Sequence, residues 1–316
     1  MGDSRIWMNK VKENIGKVLV GKEDVIGLVL TSLVAGGHVL LEDVPGTGKT
    51  MLAKSLAKSL ETSFGRIQFT PDLLPSDVTG LNYYNQKAGE FTFRPGPVFA
   101  NVILADEINR ATPRTQSSLL ECMEERQVTV DGETRRLEEP FFVIATQNPL
   151  ETTGTFPLPE AQLDRFFMKL SMGLPDKDEE INIMKRFLAD QPFETLEAVC
   201  SGDKVLTARE EAKQIYIHEI LLDYIAELAQ ATRKSNQILS GVSPRGTLAL
   251  VHAAKAYAWL QGRDFVVPED IKKLAVPVWA HRLVVARGYG SSVNGEKEMA
   301  NVLATVPVPT EEWEKK

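Results

Sequence analysis

The stretch LLEDVPGTGKT, residues 40–50, passes from an apolar run into a glycine-rich turn. Its end matches the phosphate-binding loop pattern G-x-x-x-x-G-K-[ST], with Gly48, Lys49 and Thr50 in the last three places. The first glycine of the pattern falls at position 43, where this chain has aspartate. Aspartate tolerates unusual backbone angles better than most residues. We expect the loop to keep its function, with the Asp43 carboxylate turned away from phosphate because like charges repel strongly in a dry site.

The residue types of the loop suit a nucleotide. Its glycines let backbone N–H groups approach phosphate oxygens, Lys49 adds a charge beside the β- and γ-phosphates, and Thr50 can bind Mg²⁺ at a helix start. An apolar strand, HVLLED, precedes the loop and a helical segment, TMLAKSLAKSLE, follows it, which disfavours an ordinary glycine-rich turn. The predicted nucleotide contacts of the loop are Pro45, Gly46, Thr47, Gly48, Lys49, Thr50 and Met51.

A pair of acids follows a second apolar strand, NVILAD, at residues 101–106. Asp106 would hold the water shell of Mg²⁺, and Glu107 would orient and deprotonate a water for in-line attack on the γ-phosphate. Adjacent acids after a strand also occur at ordinary helix starts, so the pair is informative because it follows a phosphate-binding loop. Loop and acids together predict an ATPase that converts ATP and water to ADP and phosphate.

Three further polar residues are candidates for the same site. Asn148, after the strand FFVIAT, can hydrogen-bond the γ-phosphate or the attacking water; the alternative is a turn asparagine before proline. Arg165 lies between a short helix and an apolar strand, and its alternative is a surface ion pair. Arg245 begins a helix, where the helix dipole disfavours a cation, so a compensating anion such as ATP is expected over it.

The order of the segments predicts an α/β fold, a mainly parallel sheet with helices on both faces. Two segments interrupt the alternation, residues 80–98 and 126–137, and both read as hairpins; the second turns at Asp131-Gly132. Beyond residue 175 apolar residues recur at helical spacing. We predict an αβα nucleotide-binding domain at residues 1–174 and an α-helical lid domain at residues 175–316.

Composition limits the classes of function. The 316 residues carry a net charge of −7, which opposes an electrostatic grip on nucleic acid. The apolar stretch IGLVLTSLVAGG is too short for a membrane span, and the first residues lack the pattern of a signal peptide. Two distant cysteines form no disulfide framework, and the four histidines lack the spacing of metal ligands. The sequence predicts a cytoplasmic protein.

The motifs occur in the order typical of AAA+ ATPases: PGTGKT, ILADEINR, ATQNP, LDRF and GVSPRG. The sequence resembles the MoxR family over about Val18 to Arg287. Four segments carry this resemblance: LLEDVPGTGKT, DEINRATPRTQSSLLECMEERQVTVDG, FPLPEAQLDRF and GVSPRG. The resemblance implies an AAA+ core followed by a helical lid. It implies these roles: Lys49 and Thr50 as Walker A, Asp106 and Glu107 as Walker B, Asn148 as sensor 1, Arg245 as sensor 2 and Arg165 as an arginine finger acting in trans.

Other parts of the chain take roles from the same resemblance. Val20-Gly21 is similar to a segment that lies against adenine, and Lys22 stands where glutamine is common, which leaves the base contacts open. The two hairpins correspond to the helix-2 insert and the pre-sensor-1 insert, which contact partners or neighbouring subunits. A finger supplied by a neighbour implies a head-to-tail interface that closes into a ring, and the resemblance suggests a homo-hexamer.

The resemblance implies a chaperone-like motor that remodels or matures client proteins, together with a partner that has a von Willebrand factor A domain. Two alternatives stay open. One is a slow nucleotide-dependent switch that times assembly, and the presence of both Asp106 and Glu107 favours the motor over it. The other is a nucleic-acid motor, favoured by Arg126, Arg135 and Arg136 of the second hairpin and opposed by the net negative charge.

Overall fold

A computed structural model of the chain describes residues 2–149, 154–189, 191–286 and 294–309. Arg287, where the MoxR-like similarity ends, and the last residues of the predicted lid lie outside the described residues. The helices of the described ranges are α1 (Gly2–Gly16), α2 (Glu23–Ala35), α3 (Lys49–Ser59), α4 (Pro75–Thr79), α5 (Pro113–Glu125), α6 (Glu160–Leu163), α7 (Lys177–Ala189), α8 (Asp203–Lys213), α9 (Glu219–Lys234), α10 (Pro244–Leu260), α11 (Pro268–Trp279) and α12 (Gly295–Thr305). Within these ranges, no helix combines the length and apolar character that a bilayer crossing requires.

The strands interleave with these helices. They are β1 (Val39–Glu42), β2 (Phe64–Gln68), β3 (Gly80–Asn85), β4 (Glu90–Pro95), β5 (Val102–Asp106), β6 (Gln127–Val130), β7 (Glu133–Arg136), β8 (Phe142–Gln147), β9 (Met168–Leu170), β10 (Ile238–Ser240) and β11 (Val284–Val285). Five of them form one sheet in the order β2-β5-β8-β1-β9, and every pair of neighbours in it is parallel. The predicted parallel sheet is confirmed.

Helices cover both faces of the sheet because its strands are apolar on both faces. Successive side chains of β1 point to opposite faces, so Leu41 joins one core and Leu40 the other. The core around Leu41 continues into the lid and includes Leu228 and Trp259, both buried. Helix α10 of the lid packs against α2 and α8. The lid and α2 share one core, so the packing does not mark where one domain ends and the next begins. The domain boundary between residues 174 and 175 therefore stays a prediction.

Both interrupting segments are antiparallel hairpins, as predicted. The first pairs β3 with β4 and the second pairs β6 with β7. The hairpins contact each other, since Asn82 Nδ2 donates to Asp131 Oδ2 at 2.8 Å and the Arg135 guanidinium lies 4.2 Å from the ring centre of Phe93. They therefore form one joined surface.

Candidate nucleotide site

The glycine-rich loop joins the end of β1 to the start of α3 and has the backbone that phosphate binding requires. Gly46 and Gly48 have φ angles of 86° and 92°, in the left-handed region that favours glycine. A Cβ on Gly48 would also come within 2.9 Å of Leu19 Cδ2. Because the loop ends at the start of α3, the unpaired N–H groups of that helix are available to an anion. The loop therefore fits a chain of phosphates.

Asp43 turns away from the loop, as expected. Its buried carboxylate accepts hydrogen bonds from the Ser171 hydroxyl at 2.8 Å and from the backbone N–H groups of Met172 at 2.5 Å and Gly173 at 3.2 Å. These donors follow β9, so the carboxylate fastens the end of β1 to the chain beyond its neighbouring strand. The charge of Asp43 is compensated away from the phosphate position.

Lys49 lies under the loop. Its ammonium donates to the backbone carbonyls of Asp43 at 2.9 Å and Val44 at 3.3 Å. These neutral acceptors hold the charge beside the loop without neutralising it. Lys49 is thus placed to donate to a phosphate oxygen, in the manner of a phosphate-loop lysine.

The two acids after β5 are held by neighbouring strands. Asp106 Oδ1 accepts from the Thr146 hydroxyl at 2.7 Å, and Oδ2 accepts from Arg66 Nη2 at 2.7 Å. The Thr146 hydroxyl also accepts from the backbone N–H of Glu107 at 2.8 Å. One threonine of β8 therefore fixes the side chain of the first acid and the backbone of the second.

Glu107 has a strained backbone and two further partners. Its φ and ψ of 56° and 49° lie in the left-handed region, which is uncommon for a residue other than glycine. Its Oε2 accepts from Gln68 Nε2 at 2.8 Å and from Arg110 Nη1 at 3.0 Å. Strain of this kind persists where the surroundings over-determine the backbone, and it is frequent at active sites.

A cavity of about 330 Å³ brings the predicted residues together. Its lining consists of Pro45, Gly46, Gly48, Lys49, Thr50, Met51, Asp106, Glu107 and Asn148. The loop, both acids and the buried Asn148 thus face one space at the carboxyl ends of β1, β5 and β8. The Thr50 hydroxyl and the Asp106 carboxylate are hard oxygen donors in this space, which fits Mg²⁺.

The segment predicted to face adenine packs beside the loop. Leu19 is in contact range of Gly48, and Val20 and Gly21 follow it directly. Lys22 Nζ lies 3.7 Å from Glu179 Oε2 in the first turn of α7. The Val20–Lys22 segment therefore lies between the loop and α7.

Arg165 and Arg245 lie at the amino ends of the parallel strands, and the loop lies at their carboxyl ends. Arg165 precedes β9, and Gly37 and His38 precede β1, so in this parallel sheet they share the amino edge. Arg245 lines a cavity of about 290 Å³ with these residues, whereas the loop follows the carboxyl end of β1. The structure therefore does not bring Arg245 over the phosphate loop of its own chain, where we expected it.

Both arginines contact one carboxylate. Arg165 Nε lies 3.4 Å from Glu124 Oε2, and Arg245 Nη2 lies 3.0 Å from Glu124 Oε1. Arg165 thus has the surface ion pair that the sequence left open as an alternative. The ion pair joins α5 of the sheet domain to α10 of the lid.

Sequence reasoning missed several residues that hold the site. Gln68 lies opposite Asp106 in the register of β2 and β5, and Thr146 lies on the adjacent strand β8. Both are polar residues near the end of an apolar strand, which is a usable signal once the strand order is known. Arg66 carries the same signal, because alternation along β2 places it on the face of Gln68.

The remaining titratable groups offer little other chemistry. Burial raises the pKa of Cys122 to about 12 and that of Cys200 to about 11, so neither is a ready thiolate. Burial lowers the pKa of His38 to about 3, and its ring is engaged by backbone groups. In the described ranges, no cluster of three or more His, Cys, Asp or Glu side chains is arranged to hold a metal ion.

Known proteins are similar to this chain over most of its length. The model of the ATPase family associated with various cellular activities (AAA) matches residues 38–168, and that of the AAA lid domain matches residues 230–302. The uncharacterized protein YeaC of Bacillus subtilis is 49% identical over 96% of this chain and 95% of its own. Chaperone MoxR1 of Mycobacterium tuberculosis is 40% identical over 93% of this chain and 80% of its own. A solved structure from Cytophaga hutchinsonii covers 97% of this chain and 96% of its own, with 41% identity and a TM-score of 0.90.

The parallel sheet with helices on both faces and the helical lid define a protein with the AAA fold. The relatives narrow that class. The chain belongs to the MoxR family, as its motifs indicated.

Proposed function

We propose that this protein hydrolyses ATP at sites completed between subunits of a ring, and that it uses the cycle to remodel or mature partner proteins. One observation carries the proposal. The loop and acids face one edge of the sheet, and Arg165 and Arg245 face the other. A head-to-tail neighbour brings the two halves together, and repetition of that contact closes a ring, a hexamer by family resemblance.

Within one subunit, the chain's own groups bind and orient ATP. The loop N–H groups and Lys49 would hold the β- and γ-phosphates, with Val20 and Gly21 beside the base. Thr50 would bind Mg²⁺ directly and Asp106 through water, and the ion would neutralise charge that develops on the phosphates. The geometry therefore supports ATP with Mg²⁺ as the bound pair.

Hydrolysis needs a base and an orienting group, and two residues that line the cavity suit these roles. Glu107 would deprotonate the attacking water, while Asn148 would hydrogen-bond that water or the γ-phosphate. Gln68 and Arg110 hold the Glu107 carboxylate through hydrogen bonds to its Oε2. Closure of the subunit interface would change these two contacts. Glu107 would then act as a base only when the neighbouring subunit is in place.

The neighbour would add two positive charges to the site. Arg165, as an arginine finger, would stabilise charge on the transferring γ-phosphoryl group, and Arg245 would contact the same phosphates from the lid. Both side chains are at least one third exposed, so a neighbour can reach them. The lid of one subunit would thereby sense the nucleotide of the next.

The joined hairpins are the surface proposed to transmit motion to a protein client or to a partner with a von Willebrand factor A domain. The rings of Tyr84 and Phe91 pack edge to face with their centres 5.4 Å apart, and 54% and 74% of their surfaces are exposed. Exposed aromatic residues are typical of contact surfaces. The relative named chaperone MoxR1 supports a client of this kind.

The structure weakens the argument for nucleic acid. Arg126 pairs with Glu139 at 2.6 Å, and Arg135 pairs with Glu133 and lies over Phe93. Two of the three arginines that favoured a nucleic-acid motor are thus engaged by acids of the chain. The slow-switch alternative differs from the motor in rate and is decided by the turnover measurement that follows.

Turnover per subunit, measured against protein concentration, tests the proposal. Wild-type turnover should rise with concentration as subunits associate, and Arg165→Ala should lower it about 10³-fold or more while ATP binding persists. Lys49→Ala should lose ATP binding, and Glu107→Gln should bind ATP and hydrolyse it slowly. Turnover that is independent of concentration and unchanged in Arg165→Ala would refute a composite site. Saturated turnover far below one per second would favour the switch.

A further inference from the structure

Glu124, in the last turn of α5, holds the two arginines that the proposed function assigns to a neighbour's ATP. Its two carboxylate oxygens divide between them, Oε1 to Arg245 at 3.0 Å and Oε2 to Arg165 at 3.4 Å. The arginines come from the lid and from the sheet domain. Without an anion between them, two guanidinium groups would repel each other.

Among the described residues, no other acid forms an ion pair with both arginines, although Glu121 and Glu125 line a cavity with Arg165. Asp164 Oδ1 accepts from Arg282 Nε at 2.7 Å, and Arg282 is nearly fully buried, so that pair is fixed; Asp164 Oδ2 is 4.0 Å from Arg245 Nε. Glu139 is paired with Arg126 at 2.6 Å. Glu124 is therefore the acid that forms ion pairs with both Arg165 and Arg245. Its removal would leave more of their positive charge uncompensated.

A carboxylate and a phosphate offer guanidinium groups the same thing, anionic oxygens at hydrogen-bond distance. The N–H groups that contact Glu124 are thus the groups that a γ-phosphate would take. A phosphate carries more charge than a carboxylate and has three oxygens for two arginines. It would therefore displace the Glu124 carboxylate when ATP of the neighbouring subunit comes within reach.

We propose that Glu124 is a positioning residue that stands in for the neighbour's phosphate. Its carboxylate keeps Arg165 and Arg245 together at the subunit surface, and ATP of the adjoining subunit displaces it when the interface closes. Glu124 then sets the protein concentration at which closure occurs. The inference rests on the proposed composite site, because only a neighbour's phosphate can be the competitor.

The exchange also has a consequence for the lid. While Glu124 holds Arg245, it ties α10 to α5; when phosphate takes Arg245, that tie between lid and sheet domain is lost. The lid of one subunit would then lose one contact with the sheet domain when the next subunit binds ATP, while the packing of α10 against α2 would persist.

The test compares turnover per subunit against protein concentration for wild type, Glu124→Gln and Glu124→Ala. Loss of the competing charge should lower the concentration for half-maximal turnover about twofold to fivefold, the size of a partly exposed ion pair. Maximal turnover should stay within about twofold, because the closed state no longer contains the Glu124 contact. Sedimentation with ATP in a Glu107→Gln background should show the same shift in assembly.

Glu227→Ala is the control, since it removes one acid from an exposed helical position outside the cavities that Arg165 and Arg245 line. It should leave the half-maximal concentration unchanged. An unchanged or higher half-maximal concentration in Glu124→Gln, a fall in its maximal turnover, or an equal shift in Glu227→Ala would overturn the inference. Failure of the composite site itself is recognised separately, as wild-type turnover that does not depend on concentration.

Discussion

At the scale of single residues, Asp43 shows how a phosphate loop tolerates an acid. The pattern has glycine at this position because a backbone turn begins near it, yet this chain uses the carboxylate as an anchor for β1. Three donors from the residues after β9 bond to the Asp43 carboxylate, and Lys49 contacts the backbone carbonyl of Asp43 instead. The residue has therefore become part of the support of the loop.

Asp43→Gly restores the pattern and should nevertheless destabilise the protein. The Ser171 hydroxyl and two backbone N–H groups would lose a buried charged acceptor, which costs about 2–4 kcal/mol in the free energy of unfolding. Denaturant titration measures the loss. Glu42→Ala is the control; its partly exposed pair with Lys169, at 2.8 Å, should be worth about 0–1 kcal/mol. A stable Asp43→Gly variant that binds ATP more tightly would show that Asp43 only impairs the loop.

At the scale of elements, His38 joins three parts of the fold at the amino edge of the sheet. It precedes β1, its Nδ1 accepts from the backbone N–H of Val143 in β8 at 3.0 Å, and its Nε2 lies 3.1 Å from the Met123 carbonyl in α5. The ring must be neutral for Nδ1 to accept. Burial, and then the charges of Arg126 and Arg209, lower the pKa of His38 from 6.5 to about 3.

This shift predicts how stability depends on pH. The unfolded chain takes up a proton near pH 6.5 and the folded ring does so near pH 3, so the contribution is complete above pH 6.5 and falls as pH drops through that window. Burial lowers the pKa of His281 as well, which acts in the same direction. In His38→Gln, the slope of unfolding free energy between about pH 6 and 4 should be shallower by about 1.4 kcal/mol per pH unit. Equal slopes in variant and wild type would contradict this account of His38.

At the scale of the whole molecule, one copy carries the two halves of the proposed hydrolytic site at opposite ends of its parallel strands. The arrangement follows from where the lid packs. Helix α10 lies against α2 and α8, which holds Arg245 near the start of β1 and away from the loop. In a closed ring, the loop and acids of each subunit meet the arginines of the next one. The proposed activity therefore belongs to the assembly.

Sequence patterns were sufficient for the features that depend on local signals. The loop with Gly48 and Lys49, the parallel strands and both hairpins each depend on a short run of residues. Arg245 shows the limit, because a helix start does not reveal against which face the lid will pack. Gln68 and Thr146 were missed because their contacts with the acids depend on the strand order β2-β5-β8.

Mixing two inactive variants tests the composite site most directly. Glu107→Gln lacks the base and Arg165→Ala lacks the finger, so each alone should have almost no turnover. In an equal mixture, about a quarter of the interfaces would join an intact Glu107 to an intact Arg165 from the neighbour, and turnover should return in that proportion. The control is the chain with both substitutions, which should restore nothing when mixed with Arg165→Ala. Recovery in the mixture is the predicted result; a mixture as inactive as its components would contradict the account.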